Sequence, residues 1–186
     1  SSRFSDVALT PESRTKFVES CVAFMRRYDF DGLDIDWEYP VAEGAPGNSR
    51  RPEDKANLTF LLSDFRTALT TQGEADGRAY TLTLAAPASP SLWSNFEWEE
   101  IAPLLDHVFL MAYDMTGAWS SVTGPHAPLY ADPADPAQPS INVDAAIQAY
   151  IGMGVPAEKL ILGVPFYGKA LSGAAATGDG LYQPFS

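Results

Sequence analysis

Asp34, Asp36 and Glu38 occupy every second position of the stretch Phe30-Asp31-Gly32-Leu33-Asp34-Ile35-Asp36-Trp37-Glu38-Tyr39-Pro40. In a β-strand side chains alternate between faces, so the three carboxylates share one face while Leu33, Ile35 and Trp37 share the other. Successive carboxylates on that face are about 6.6 Å apart at Cα. Acids this close repel one another, and at least one is expected to keep its proton near neutral pH. A protonated carboxyl beside ionised ones suits cleavage of a glycosidic bond, whose leaving oxygen must receive a proton. The large apolar residues interleaved with the acids argue against a solvated strand edge, so the carboxylates are expected to line a cavity. Three acids could instead hold calcium or magnesium. A calcium loop, however, places glycine after its third acidic position and ends in glutamate, whereas Gly32 here precedes the acids. Neither a metal nor a cofactor is expected.

The elements that must hold this stretch follow an α-then-β rhythm. Residues 1–9 read as a loop. Thr10-Pro11-Glu12 resembles a helix start: a capping hydroxyl, proline at the first helical position and an acid in the first turn. Phe17, Cys21, Phe24 and Tyr28 recur at helical spacing, widened by Val18 and Met25, and Arg26 and Arg27 suit the C-terminal end. The acidic strand spans 30–38, and residues 41–53 form a loop rich in Gly, Pro, Asn and Arg. A second helix covers about 54–71, with Leu58, Leu61, Leu62, Phe65 and Leu69 buried and Gly73 as its stop. Tyr80 to Ala86 alternates as a strand ending at Pro87. Trp93, Phe96 and Trp98 lie in or beside a short helix near 97–104, where packing competes with sugar stacking as their role. His107-Val108-Phe109-Leu110-Met111-Ala112-Tyr113-Asp114 reads as a buried parallel strand that ends in two polar groups. His107 stands at the start of that strand and is expected to be structural, while His126 is a modest binding candidate. After a proline-rich loop over 130–140, Asn142 caps a helix to Gly152 with Val143, Ile147 and Ile151 on one side. The strand Leu160 to Val164 follows. Helix and strand in alternation predict an α/β fold with a parallel sheet.

Composition limits the partners. A formal charge of -12 speaks against nucleic acid and anionic membranes, which select basic patches. It does not oppose a neutral polymer. The single cysteine, Cys21, excludes an internal disulfide framework and reads as a structural thiol. No run of 18 apolar residues is present to cross a membrane. No signal peptide is visible, and a first residue other than methionine points to processing or truncation.

Asp31-Gly32-x-Asp34-x-Asp36-Trp37-Glu38-Tyr39-Pro40 resembles the signature of the glycoside hydrolase family 18 chitinases. Met111-Ala-Tyr113-Asp114, followed by Gly117 and Trp119, resembles the family's sixth-strand signature, and Gly163-Val-Pro-Phe-Tyr167-Gly its seventh strand. The resemblance implies a (β/α)8 TIM barrel, with this chain covering strands 4–7 over residues 1–171 and the start of an insertion domain over 172–186. It implies substrate-assisted, retaining hydrolysis of chitin or chitooligosaccharides, in which the substrate's N-acetyl oxygen is the nucleophile, a known exception to the two-carboxylate scheme. Glu38 would then be the acid, Asp36 would orient the acetamide, and Asp34 would share a proton with Asp36. Tyr113 would donate to the N-acetyl oxygen. Tyr39, Met111, Asp114, Trp119 and Tyr167 would contact substrate, Met111 beneath the acetamide and Trp119 on the aglycone side. Lys169 stands where many relatives place arginine. Secretion is also implied.

A complete barrel takes about 250 residues, and four parallel strands leave two unpaired edges. The remainder of the same barrel is therefore expected elsewhere in a longer chain. A chitin-binding, lectin-like barrel without turnover and an endo-β-N-acetylglucosaminidase are the rival readings. The intact Glu38 favours an enzyme over the first.

Overall fold

The computed structural model describes residues 3–42, 44–136, 141–175 and 177–185. Its centre is a four-stranded, all-parallel sheet in sequential order, covered on one face by helices. The chain runs α1 (Phe4–Ala8), α2 (Pro11–Arg27), β1 (Gly32–Ile35), α3 (Asp54–Asp76) and β2 (Thr81–Pro87). It continues through α4 (Pro90–Trp93), α5 (Trp98–Ile101), a 3₁₀ turn, β3 (His107–Met111), α6 (Val143–Gly152), a second 3₁₀ turn and β4 (Leu160–Leu162). The expected parallel α/β architecture is present.

Helix α1 lies where a loop was expected. Five residues cannot hold a helix by local bonding alone, and this one is fixed by packing. Phe4 stacks on Trp37 at 5.6 Å and meets Phe17 edge-on at 5.9 Å, while Ala8 is fully buried.

The start of α2 follows the sequence reading. Thr10 accepts from the Ser13 amide at 3.2 Å and Ser13 accepts from the Thr10 amide at 3.1 Å, with Pro11 at the first helical position. Its buried face is rotated from the one expected. Val18, Val22 and Met25 are buried, whereas Phe24 and Tyr28 are each 55% exposed and cluster with Phe30 at the end of the helix. Aromatic spacing alone did not identify the inward face, because the branched and sulfur-containing side chains pack there instead.

Helix α3 buries Leu58, Leu61, Leu62, Phe65 and Leu69 as expected but continues past Gly73 to Asp76. Its stop is Gly77, which takes the left-handed conformation at φ 68° and donates its N–H to the Gly73 carbonyl, a glycine C-cap. Gly73 is needed for another reason: a Cβ there would lie 2.4 Å from the Arg78 carbonyl of the reversing chain. In α6, Asn142 caps the Ala145 amide at 2.9 Å, as expected. The inward residues are Val143, Ala146 and Tyr150, and Ile151 faces outward.

The register aligns Ile35, Leu84, Val108 and Leu160 in one row across the sheet, with the first three buried against the helices. The alternate row places Asp34 beside Thr83 and Ala85 beside Phe109 and Ile161. That face is open. Phe109 and Ile161 are exposed, so β3 is covered on one side among the described residues and not on both as expected. The edges of β1 and β4 are unpaired in this sheet.

Candidate active site

The open face of the sheet collects the acids. Ile35 and Trp37 are buried, and Asp34 and Asp36 project on the opposite side, as strand alternation demands. Both aspartates are exposed rather than enclosed, because this face carries no covering layer among the described residues. Thr83, the register partner of Asp34 on β2, donates its hydroxyl to Asp34 Oδ1 at 2.6 Å. Neighbouring atoms strip part of the solvent from the Asp36 carboxyl despite its open face, and with the charges of Glu38 and Asp34 they hold it above its ordinary value. That direction is the one expected of an acid crowded by like charges.

Glu38 lies beyond the C-terminal end of β1, at the wall of a cleft of about 480 Å³. The loop after it is fastened to its backbone. Asn48 donates to the Glu38 carbonyl at 2.8 Å, and Gly44, at φ 79°, passes so close that a Cβ would meet the same oxygen at 2.2 Å. The root of the loop is held by Asp54, a fully buried carboxylate that accepts from the Ser5 hydroxyl at 2.7 Å and the Arg51 amide at 2.8 Å. Nothing in the sequence reading singled out Asp54; an acid at a helix start is ordinarily solvated.

Tyr39, Met111, Tyr113, Asp114 and Trp119 share the cleft wall with Glu38. These come from the ends of β1 and β3 and the loop after β3, so the acidic stretch and the Met-x-Tyr-Asp stretch converge on one space. Pro87, Ala88, Ser89, Ser91 and Leu92, from the end of β2 and from α4, complete the wall together with Met115 and Ile141, and sequence reasoning did not name them. The position of Ala88 to Leu92 after a strand's C-terminal end was the available signal. Tyr150 of α6 braces this side, donating to the Pro87 carbonyl at 2.7 Å and packing edge-on against Trp98 at 4.7 Å. Trp98 is itself buried, stacked on Phe96 at 5.0 Å, and serves packing.

Tyr113 rests against β4, where a Cβ on Gly163 would lie 3.0 Å from its Cε1. Burial first, then the charges of Asp36, Glu38 and Asp114, push its hydroxyl up, so Tyr113 remains a proton donor across the neutral range. Asp114 adopts a left-handed backbone at φ 60°. Its Oδ1 accepts from the Tyr167 hydroxyl at 2.8 Å and pairs with Lys169 Nζ at 2.8 Å, with His126 Nδ1 3.7 Å away. Burial alone would raise the Asp114 carboxyl, but the bonds from Lys169 and Tyr167 and the charges of Lys169 and His126 outweigh it and leave it below the ordinary range. Tyr167 is not among the residues lining that cleft, and its own hydroxyl is pushed up to about 12 by desolvation and by the Asp114 carboxylate. His107 sits at the opposite end of β3 from the cleft. Cys21 is half-buried, and burial pushes its thiol up, consistent with a structural role.

Segment 177–185 folds back onto the loop after β3. The Tyr182 amide donates to the Thr123 carbonyl at 3.0 Å, the Thr123 amide donates to the Gln183 carbonyl at 2.9 Å, Val122 bridges Pro184, and the Tyr182 hydroxyl donates to Asp132 Oδ2 at 2.7 Å.

A parallel α/β sheet with an acid-bearing strand end beside tyrosine, aspartate and tryptophan in one cleft has the layout of a site built at the C-terminal ends of parallel strands. The model of the Glycosyl hydrolases family 18 matches residues 1–184, and the chain belongs to that family. Chitinase A1 of Niallia circulans is 48% identical over 188 residues, covering 98% of this chain and 27% of that protein. Chitinase 1 of Aphanocladium album is 38% identical over 188 residues, covering all of this chain and 41% of that protein. Among solved structures, chitinase ChiA74 from Bacillus thuringiensis superposes with a TM-score of 0.94 at 47% identity, covering 98% of this chain and 29% of that one. The chain thus spans less than half the length of these relatives.

Proposed function

We propose that this chain is the acid-bearing part of a chitinase that hydrolyses β-1,4 linkages between N-acetylglucosamine units by a substrate-assisted, retaining mechanism. The observation that carries the reading is the convergence of Glu38, Met111, Tyr113, Asp114 and Trp119 on one cleft, next to Asp34 and Asp36 on the same strand face. Family membership and the chitinase relatives support it.

In this mechanism Glu38 protonates the glycosidic oxygen while the substrate's acetamide oxygen attacks the anomeric carbon. The C–O bond to the leaving sugar breaks as the oxazolinium ring closes. Asp36, whose carboxyl is held above its ordinary value, orients the acetamide N–H and balances the positive charge that develops there. Asp34, fixed by Thr83, shares the proton with Asp36. The Tyr113 hydroxyl donates to the acetamide oxygen and holds it for attack. Glu38, now ionised, then takes a proton from water, which opens the ring at the anomeric carbon with net retention. Met111 packs beneath the acetamide, and Tyr39, Asp114 and Trp119 contact flanking sugars. Tyr167 reaches the substrate as well, from a hydroxyl that donates to Asp114.

Residues 1–171 correspond in this reading to strands 4–7 of a (β/α)8 barrel, and 172–186 to the start of an insertion domain. The remainder of the barrel closes the open face and the unpaired edges of β1 and β4. Export from the cell accompanies such a substrate.

The test is release of fluorophore from a fluorogenic chitotrioside by the intact protein and by Glu38→Gln. Loss of a general acid lowers the rate by about 10²- to 10⁴-fold, with oligosaccharide binding kept. A near-normal rate in the variant refutes the assignment, and binding without turnover in the parent points to a lectin.

A further inference from the structure

We propose that Lys169 is a positioning residue, a single cation that holds the Asp114 carboxylate and the Trp119 indole in fixed relation at the aglycone end of the cleft. The proposal rests on the chitinase reading for what those two groups contact. Its geometric basis does not.

The Lys169 ammonium lies 2.8 Å from Asp114 Oδ1, 4.9 Å from the centre of the Trp119 ring and 5.5 Å from that of Tyr167. Tyr167 donates to the same Oδ1, so both the cation and the phenol hold one oxygen of the carboxylate. Asp114 comes from the end of β3, Trp119 from the loop after it, and Tyr167 and Lys169 from the loop after β4. One ammonium therefore ties two loops together.

Both tethered groups need a restraint. Asp114 is a non-glycine residue in the left-handed region, a conformation that persists where the surroundings hold it. Trp119 is 66% exposed, and its ring lies over Gly117, where a Cβ would meet Cη2 at 2.5 Å. Glycine lets the indole approach the backbone on that side, and the ammonium holds the ring by its π-electrons. The Lys169 side chain is 27% exposed and that of Asp114 42%, so solvent screens the pair and the expected effect is that of an exposed contact. A compact ammonium with three rotatable donors can serve a carboxylate and two rings at once, and a guanidinium, which also pairs with carboxylates and stacks on rings, can take its place.

The test compares Lys169→Met and Lys169→Arg in the intact protein through two readouts. The first needs no ligand: acrylamide quenching of Trp119 emission, isolated by difference from Trp119→Phe in each background. Lys169→Met is expected to leave the indole more open to quencher, and Lys169→Arg to stay near the parent. The second is calorimetric titration with chitotetraose in a Glu38→Gln background. Loss of the cation there is expected to weaken binding by about three- to tenfold, on the scale of one exposed cation–π contact plus an ion pair, with recovery by arginine. Unchanged quenching in Lys169→Met overturns the proposal, and so does equal weakening of binding in both variants. If Glu38→Gln alone does not bind the oligosaccharide, the chitinase reading fails, while the quenching result still decides whether Lys169 holds Trp119.

Discussion

The Thr83 hydroxyl donates to Asp34 Oδ1 at 2.6 Å across the β1–β2 ladder, from the position directly in register with that carboxylate. Thr83 is buried and Asp34 exposed, so the bond anchors an acid that strand geometry alone would leave to solvent. A hydrogen bond to a charged group contributes about 1.5–3 kcal/mol. Thr83→Val is expected to lower kcat by about tenfold or somewhat more, with KM nearly unchanged, as steady-state kinetics on a chitooligosaccharide will show. An unaltered kcat would remove Asp34 from the proton-sharing role.

Asp36 is held above the ordinary carboxylate value by partial desolvation and by Glu38 and Asp34. A raised folded-state value means the folded protein binds the proton more tightly than the unfolded chain. Asp36 then weakens the fold as pH rises from the ordinary value through the raised one, and the penalty is complete above that window. Asp36→Asn should accordingly show a higher Tm than the parent at pH 7, a difference that closes when both are measured below the ordinary carboxylate value. Activity should fall at the same time, since stability and a strained catalytic charge oppose each other. A lower Tm at pH 7 would contradict this reading.

Gly163 approaches β3 so closely that a Cβ would sit 2.6 Å from the Leu110 carbonyl and 3.0 Å from Tyr113 Cε1. Gly163 N–H also donates to that carbonyl at 2.8 Å. Gly163→Ala must displace either the ladder or the tyrosine ring, and overpacking of this kind costs about 1–3 kcal/mol. Denaturant unfolding measures the stability loss. A drop in kcat beyond what the folded fraction explains would report the displaced Tyr113 hydroxyl.

Tyr167→Phe removes one of the two hydrogen bonds that keep the Asp114 carboxyl below its ordinary range. The Asp114 value should rise, so its ionised form is lost at a higher pH on acidification. The acidic limb of the pH–kcat/KM profile is expected to move upward. Tyr167 itself, at about 12, stays protonated and adds no alkaline limb below pH 10. An acidic limb that does not move would mean that Asp114 does not govern it.

Much of the local architecture was legible because it depends on neighbours in the chain. The Thr10–Ser13 cap, the buried leucines of α3, the Asn142 cap and the alternation of Ile35 and Trp37 against Asp34 and Asp36 all follow from short-range periodicity and hydrogen-bonding chemistry. Helix α1 and the true inward face of α2 were not legible, since Phe4 finds Trp37 through tertiary packing, while Phe24, Tyr28 and Phe30 cluster locally and stay exposed.

The same division runs through the site. The order and types of Asp34, Asp36, Glu38, Met111, Tyr113 and Trp119 are written in two short stretches, and strand alternation assigns the acids to one face. Only the folded chain brings the two stretches to one cleft, sets Thr83 against Asp34, buries Asp54 beneath the loop and places Lys169 between Asp114 and Trp119. Those pairings join residues far apart in sequence, and their geometry depends on β-ladder register and close packing, which no local pattern encodes.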